Sequence, residues 1–571
     1  MLIFLMLIIL FLPPLISLLI EKVLFKVKIK QEMVFRYSLY LLLINSFCMV
    51  GLVVFMENNM LIFGLHLLKF QFVIKYVLMS ICFSIFIPIA IKIIKKFNKK
   101  TIVDFFKKVK KKITFNNILL IFLLIQPVLE LYPFYNSFTS LFRVVCITLF
   151  FVYSLKKNYN KKILVSILIY LLIILLYFFF HNIHSLKFNT LVPINYSTLN
   201  EILYFIKMLT PFMLIYVIYV NIIKEEQFKT YLKFTVGFIS LIIIITNLFE
   251  ISLSSYTNEI IKGNIFDWFF IKYSFDELAS KGWFYFANHI IAILIMFLPI
   301  TYYFMLKERK NVYYFLFIIQ MLALLLLGNK TSVFGSFLVF LSLILLGLFY
   351  FKKNFLIKTN IIVNLLILMC FPLLIFYSPA VNRVLTFEGI NINYNISKTE
   401  KEKNNTYIRN NYEEKHISKN FIEKFYPYKY DSSFWVKMLK EPEYKLINYR
   451  YLEVKIMNRV FQVNNSSFDY FLGMGYDRQM KIVNVERDIL NQFYSLGIIG
   501  LILLVIPYFI LIFVSLYKIV KNKKYELIFV LYSVILFILV SILGGNLLNS
   551  LSATLPFAVL CGLLYRKSRF S

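Results

Sequence analysis

Four ionisable side chains stand inside or at the mouth of long apolar stretches: Glu130, Arg143, Lys207 and Lys330. A charge in hydrocarbon costs roughly 3 kcal/mol or more unless it meets a partner or water, so each is a candidate functional group. Counting spans and loops along the chain brings all four toward one membrane face. Glu130 and Arg143 fall on one helical hairpin, where they can pair. The three cations have no counterpart toward the other face and suit an anionic ligand at headgroup level. A lipid diphosphate fits, with two negative groups, a hydrocarbon anchor and a cargo outside. Arginine would grip its phosphate oxygens bidentately, and lysine as a point charge. The plainer alternative is that Lys207 and Lys330 snorkel and Arg143 serves only Glu130.

A second group of candidates lies where a long polar segment runs back into apolar sequence, at Gly473–Gly500, GMGYDRQMKIVNVERDILNQFYSLGIIG. Glu486 and Asp488 stand at the start of the re-entering helix, where a carboxylate serves as a cap or an ion-pair partner. Gly497 and Gly500 read as positions of close helix packing. Upstream, Leu446, Tyr449, Leu452, Ile456 and Val460 recur at spacings of three and four, predicting an amphipathic helix over 442–462 with Arg450 and Arg459 beside its apolar stripe. His289, after Asn288, reads as a satisfied helix-end residue, and His416 as a solvated side chain in the polar tract.

The elements that must position these groups follow from composition. The chain has 571 residues, 60% of them hydrophobic, and a mean hydropathy of +0.76. No single core hides that much apolar surface, so lipid is the solvent. Apolar runs of about 20 residues, the length that crosses the bilayer as a helix, recur throughout, at 1–20, 37–56, 72–94, 118–134, 138–155, 163–181, 202–223, 236–252, 287–306, 311–327, 333–350, 361–378, 493–515, 527–544 and 551–565. The expected fold class is therefore an all-α polytopic membrane protein of about fifteen transmembrane helices with one large external loop domain. Every second loop is rich in Lys and Arg: 21–36, 95–117, 156–162, 224–235, 307–310, 351–360, 516–526 and the tail 566–571. The positive-inside rule places these in the cytoplasm and the complementary loops outside, with the N-terminus outside and the C-terminus inside. Trp268, Trp283 and Trp435 all fall in the outside set, as do nearly half of the 29 acidic residues, within 379–492. Four regions result: 1–117, three helices and a basic cytoplasmic loop; 118–378, the membrane core; 379–492, the extracytoplasmic loop; and 493–571, three more helices and a basic tail.

The net charge of +33 would suggest nucleic acid in a soluble chain. Here the lysines line short loops, and the dense run 95–112 is a surface for anionic headgroups, so membrane lipids are expected partners and nucleic acid is not. Cys48, Cys82, Cys146, Cys370 and Cys561 all lie inside spans, at neither disulfide nor zinc spacing. The first 20 residues lack a basic leader and a small-residue cleavage site and read as a retained helix. Lysine outnumbers arginine, and Asn, Ile, Phe and Tyr abound, as AT-rich coding gives in a bacterium of low GC content.

In this setting four stretches, in order, resemble the O-antigen ligase/polymerase family of membrane glycosyltransferases, which use polyprenyl-diphosphate-linked sugars. They are KGWFYFANHIIAILIMFLPI (281–300), LLLLGNKTSVFGSFLVFLSL (324–343), the long outer segment with Arg450, and NVERDILNQFYSLGIIGLILLVIPY (484–508). The resemblance spans about 118–565. It implies transfer of a glycan from its lipid diphosphate to an acceptor hydroxyl, on a glycan or another envelope acceptor, outside the membrane. It also implies Arg143, Lys330 and Arg450, with Lys207, on the diphosphate. Asn288 opens the helix of the first matching stretch. Glu486 takes the place where many members carry His-Asn and would accept the hydroxyl proton, with Asp488 sharing that role or orienting Arg487. Lys330 stands where many members have Arg, and the first three helices are an addition to the family's twelve. The leaving group is already good, so no cofactor and no metal is called for. A flippase for lipid-linked sugars is the alternative. It would show inverted repeats and charges near the midplane, and neither is visible.

Overall fold

The computed structural model describes residues 114–569 except 136, 159, 222–223, 270–272, 389–416, 418, 420 and 447–448. The first three expected spans, the basic run 95–112 and His416 lie outside the described residues. The described chain is helical, its β pairing limited to isolated bridges such as Leu131–Phe284 and Ser254–Ser280.

Five helices open the bundle: α1 Phe115–Leu129, α2 Ser137–Lys157, α3 Lys161–Lys187, α4 Thr198–Val220 and α5 Glu225–Leu248. After a connection that holds only two short helical turns, Ile265–Phe269 and Phe275–Leu278, come α6 Ala287–Glu308, α7 Asn311–Leu326, α8 Ser336–Tyr350 and α9 Lys358–Phe376. The polar segment contributes α10 Arg450–Asn464 and α11 Tyr476–Ile482, and the chain closes with α12 Asp488–Leu504, α13 Ile506–Lys521, α14 Ile528–Leu543 and α15 Leu551–Arg569. Nine described helices are long and apolar enough to cross a membrane, and α1 and α7 are shorter apolar ones. The chain is a multi-pass membrane protein.

The uniformly apolar α6 is the axis, with 94% of its apolar window buried, against 11% for α3. Around α6 pack α7, α14 and α15, while α5 lies on α7 and α4 on α15. On α3, Leu168, Leu172, Leu175 and Phe179 stay exposed, as expected of a face that meets lipid.

Among the described residues, loops of the same expected set contact one another. In the lysine-rich set Lys229 of α5 pairs with Glu308 of α6 at 2.5 Å, Lys307 with Glu526 at 3.1 Å, and Lys524 Nζ donates to the Lys567 carbonyl. In and beside the complementary set, Tyr132 N–H donates to the Trp283 carbonyl, Asn329 to Asn288, Ser197 N–H to Asp477, and Leu547 N–H to Asp488.

Two expectations need correcting. The helix foreseen over 442–462 starts at Arg450, because Tyr449 takes a left-handed φ of 53° and stacks on Phe421 at 4.8 Å. Its apolar stripe is nonetheless buried at Leu452, Ile456 and Val460, in a cluster with Trp435, Met474 and Tyr494. The expected span 493–515 is part of a continuous stretch, Asp488–Lys521, whose backbone is non-helical at Gly497 (φ 67°, ψ −175°). Leu490, Phe493 and Tyr494, before that break, pack with the polar segment's own core.

Candidate active site

Arg143 is 1% exposed on α2. Its guanidinium is ion-paired with Glu130, the C-cap of α1, and its Nε donates to Gln126 Oε1 at 2.9 Å. A buried arginine holds its charge only with such company. Residues 283–286 close over the hairpin: Tyr285 N–H donates to the Glu130 carbonyl at 3.2 Å, and its ring stacks on Tyr135 at 4.5 Å and Tyr132 at 5.4 Å.

From this hairpin a cavity of about 550 Å³ extends beneath the polar segment. Arg143, Lys207 and Lys281 bring positive charge to its lining, and Glu486 negative charge. Asn288, Asn484, Asn546 and Asn549 supply carboxamides, while Tyr135, Tyr285, Phe286 and Tyr476 supply ring faces. The amides are cross-linked: Asn546 donates to Asn484 Oδ1 at 2.8 Å, Asn491 to Asn546 Oδ1 at 3.1 Å, and Asn549 to Asn491 Oδ1 at 3.2 Å. Such a wall offers many neutral donors and acceptors beside flat apolar rings.

Lys281 went unnoticed as a candidate in the sequence. It is 4% exposed, and its Nζ donates to Asn258 Oδ1 at 2.8 Å and the Thr257 carbonyl at 3.2 Å. Burial pulls its pKa down to about 8. Gly282 fixes the chain here with φ +69°, a turn that a side chain would strain. The quoted stretch KGWFYFANH contained the residue, but nothing in its spacing marked the lysine as buried.

Glu486 borders the cavity and accepts from Arg450 Nε at 3.2 Å, both side chains being about half exposed. Its N–H donates to Glu453 Oε2 at 3.1 Å. Glu453 is buried, and desolvation pushes its carboxyl up to about 7. Arg487 donates to the Arg450 carbonyl at 3.1 Å, which ties the start of α10 to the start of α12.

Asp488 neither shares the cavity nor orients Arg487. It is buried, and its Oδ2 accepts from Leu547 N–H at 2.9 Å and Leu548 N–H at 3.2 Å, holding the turn before α15. Lys330 is exposed beside Asn329, which hydrogen bonds to Asn288, and is not part of the cavity lining. Arg450 reaches the cavity only through Glu486. A Cβ on Gly500 would fall 2.5 Å from Tyr177 Oη, a close helix contact. Gly497 instead bends the chain, and a Cβ there would fall 2.4 Å from the backbone of Phe471.

A second group missed in the sequence joins the polar segment to the bundle. Glu201 of α4 accepts from Tyr476 N–H at 2.9 Å and Asp477 N–H at 3.0 Å, and its Oε1 lies 3.0 Å from His181 Nε2. Asp477 in turn accepts from Ser197 N–H at 2.8 Å and Asn200 Nδ2 at 2.7 Å. Arg478 is buried between the Phe188 and Tyr196 rings and donates to the Ser185 carbonyl at 2.5 Å.

In comparison with known proteins, a family model described as O-antigen ligase like membrane protein matches residues 111–567. No curated protein matches the chain.

Proposed function

The chain belongs to the family of O-antigen ligase-like membrane proteins, and from that premise we propose that it is a glycosyltransferase acting on a polyprenyl-diphosphate-linked oligosaccharide. It acts at the outer face of a bacterial cytoplasmic membrane, as a polysaccharide polymerase or a glycan ligase. The observation that carries the reading is that Arg143, Lys207 and Glu486, from three separate parts of the chain, line one cavity.

In this reading the diphosphate lies toward Arg143 and Lys207, and the sugar lies against the carboxamides and ring faces. The acceptor hydroxyl oxygen attacks the anomeric carbon. The bond from that carbon to the phosphate oxygen breaks, and the diphosphate leaves with the electron pair. Glu486 takes the hydroxyl proton. Arg450 Nε, 3.2 Å away, orients that carboxylate, and the proton moves to it as the diphosphate departs. Fixed cations at the departing group and alignment of the two reactants supply most of the acceleration.

Deletion of the gene followed by profiling of surface and lipid-linked glycans tests the assignment. Short glycans indicate a polymerase, and full-length glycan stranded on lipid indicates a ligase. Donor trapped on the cytoplasmic side, with no transfer defect in vitro, would replace this reading with transport.

A further inference from the structure

We infer that Lys281 binds the anionic end of the substrate directly, as a cation whose counter-charge arrives only with the ligand. Calling that anion a diphosphate rests on the proposed function; the case for an anion rests on charge alone. Buried Arg478 donates to the Ser185 and Met474 carbonyls and packs between the Phe188 and Tyr196 rings, while three other cations around the polar segment carry an acid. Arg143 has Glu130, Arg450 has Glu486, and Lys481 has Asp477. Lys281 is 4% exposed and has no carboxylate partner among the described residues. Its ammonium meets only the neutral oxygens of Asn258 and Thr257. An ammonium carries three donors, so one remains for a ligand, and the residue lines the same cavity as Arg143 and Lys207.

The backbone holds it there. Lys281 N–H donates to the Leu253 carbonyl at 2.9 Å, and Gly282 N–H to Ser252 Oγ at 2.8 Å. A buried charge without a counter-ion is unfavourable. A structure that holds one rigidly on a cavity wall is preorganised for an anion, which it meets without further ordering.

The test uses the purified full-length chain and its Lys281→Met variant, with inorganic diphosphate and polyprenyl diphosphate as probes. Two readouts are taken, the melting temperature without ligand and the binding of each probe. The variant should melt at or above the wild-type temperature, because an uncompensated buried charge is gone, and should bind both probes at least tenfold more weakly. A lower melting temperature with unchanged binding would make Lys281 a structural cation and overturn the inference, leaving the proposed function intact. Failure of the wild-type chain to bind polyprenyl diphosphate would overturn the proposed function. If inorganic diphosphate still binds wild type tenfold better than the variant in that case, Lys281 stands as an anion site for a different ligand.

Discussion

Glu201 and Asp477 cap each other's helices. Glu201, in the first turn of α4, accepts the first two N–H groups of α11, and Asp477, in the first turn of α11, accepts the N–H of Ser197 at the start of α4. Each carboxylate thus satisfies donors that a helix start leaves open, near the positive end of a helix dipole. Together they fix the polar segment on the bundle and so set the roof of the cavity. Glu201→Ala and Asp477→Ala should each destabilise the protein by about 1–2 kcal/mol. The double variant should cost less than the sum, since one joint is opened. Thermal unfolding in detergent measures both, and strictly additive losses would show that the two caps act separately.

Arg143 and Glu130 are both buried, so removing one strands the other. Arg143→Gln alone should cost about 3–5 kcal/mol. Arg143→Gln with Glu130→Gln should recover most of that stability, because two neutral amides replace the ion pair. If Arg143 also holds the substrate, the double variant stays inactive although folded. Melting curves paired with glycan analysis check this, and normal glycan from the double variant would remove Arg143 from the substrate.

Gly473 and Gly497 meet across the break in α12. A Cβ on Gly473 would fall 2.3 Å from the Ser495 carbonyl oxygen, and one on Gly497 2.4 Å from the Phe471 backbone. Both have φ near +70°. Alanine at either position meets backbone that cannot yield and adds a left-handed penalty of about 1–2 kcal/mol. Both variants should therefore fold poorly. Gly500→Ala, whose obstacles are the side chains of Leu496 and Tyr177, should be milder. Protein yield and melting temperature give the ranking, and a Gly497→Ala protein of wild-type stability would contradict it.

Glu453 sets a pH dependence of stability. Its folded pKa of about 7 lies above the ordinary 4.5. The folded chain therefore retains a proton that the unfolded chain releases, and this residue's contribution to stability falls as pH rises from about 4.5 to about 7. Glu453→Gln removes that loss while keeping an acceptor for the Glu486 N–H. The variant should be more stable than wild type at pH 8, by up to about 3 kcal/mol at 1.36 kcal/mol per unit. The gain should vanish below pH 4.5. Melting temperatures across pH 4–8 test it, and a variant less stable at pH 8 would contradict the assignment.

The membrane architecture was legible because it is written locally. Twenty apolar residues and a lysine-rich loop need no knowledge of distant contacts, and among the described residues lysine-rich loops meet through Lys229–Glu308 and Lys307–Glu526. The Arg143–Glu130 pair was legible for the same reason, since both lie on one hairpin. Lys281 was not, because a lysine in a loop is ordinary until Thr257 and Asn258 close around it. The Glu201–Asp477 joint links positions more than 270 apart in sequence, and each residue alone reads as an acid in a first helical turn. Asp488 reads as a chemical group only because it neighbours Glu486 in sequence. Its place at the start of α12 turns it toward Leu547 and Leu548 instead.

Glycan transfer by the Glu486→Gln protein, purified and supplied with its lipid-linked donor and acceptor, is the decisive measurement. The amide keeps the size of the side chain and an acceptor for Arg450, but it cannot take up the hydroxyl proton. Loss of product by at least a hundredfold, with donor binding retained, is the expected result, within the usual contribution of a general base. Transfer at the wild-type rate would show that Glu486 is not the base and would contradict the mechanism.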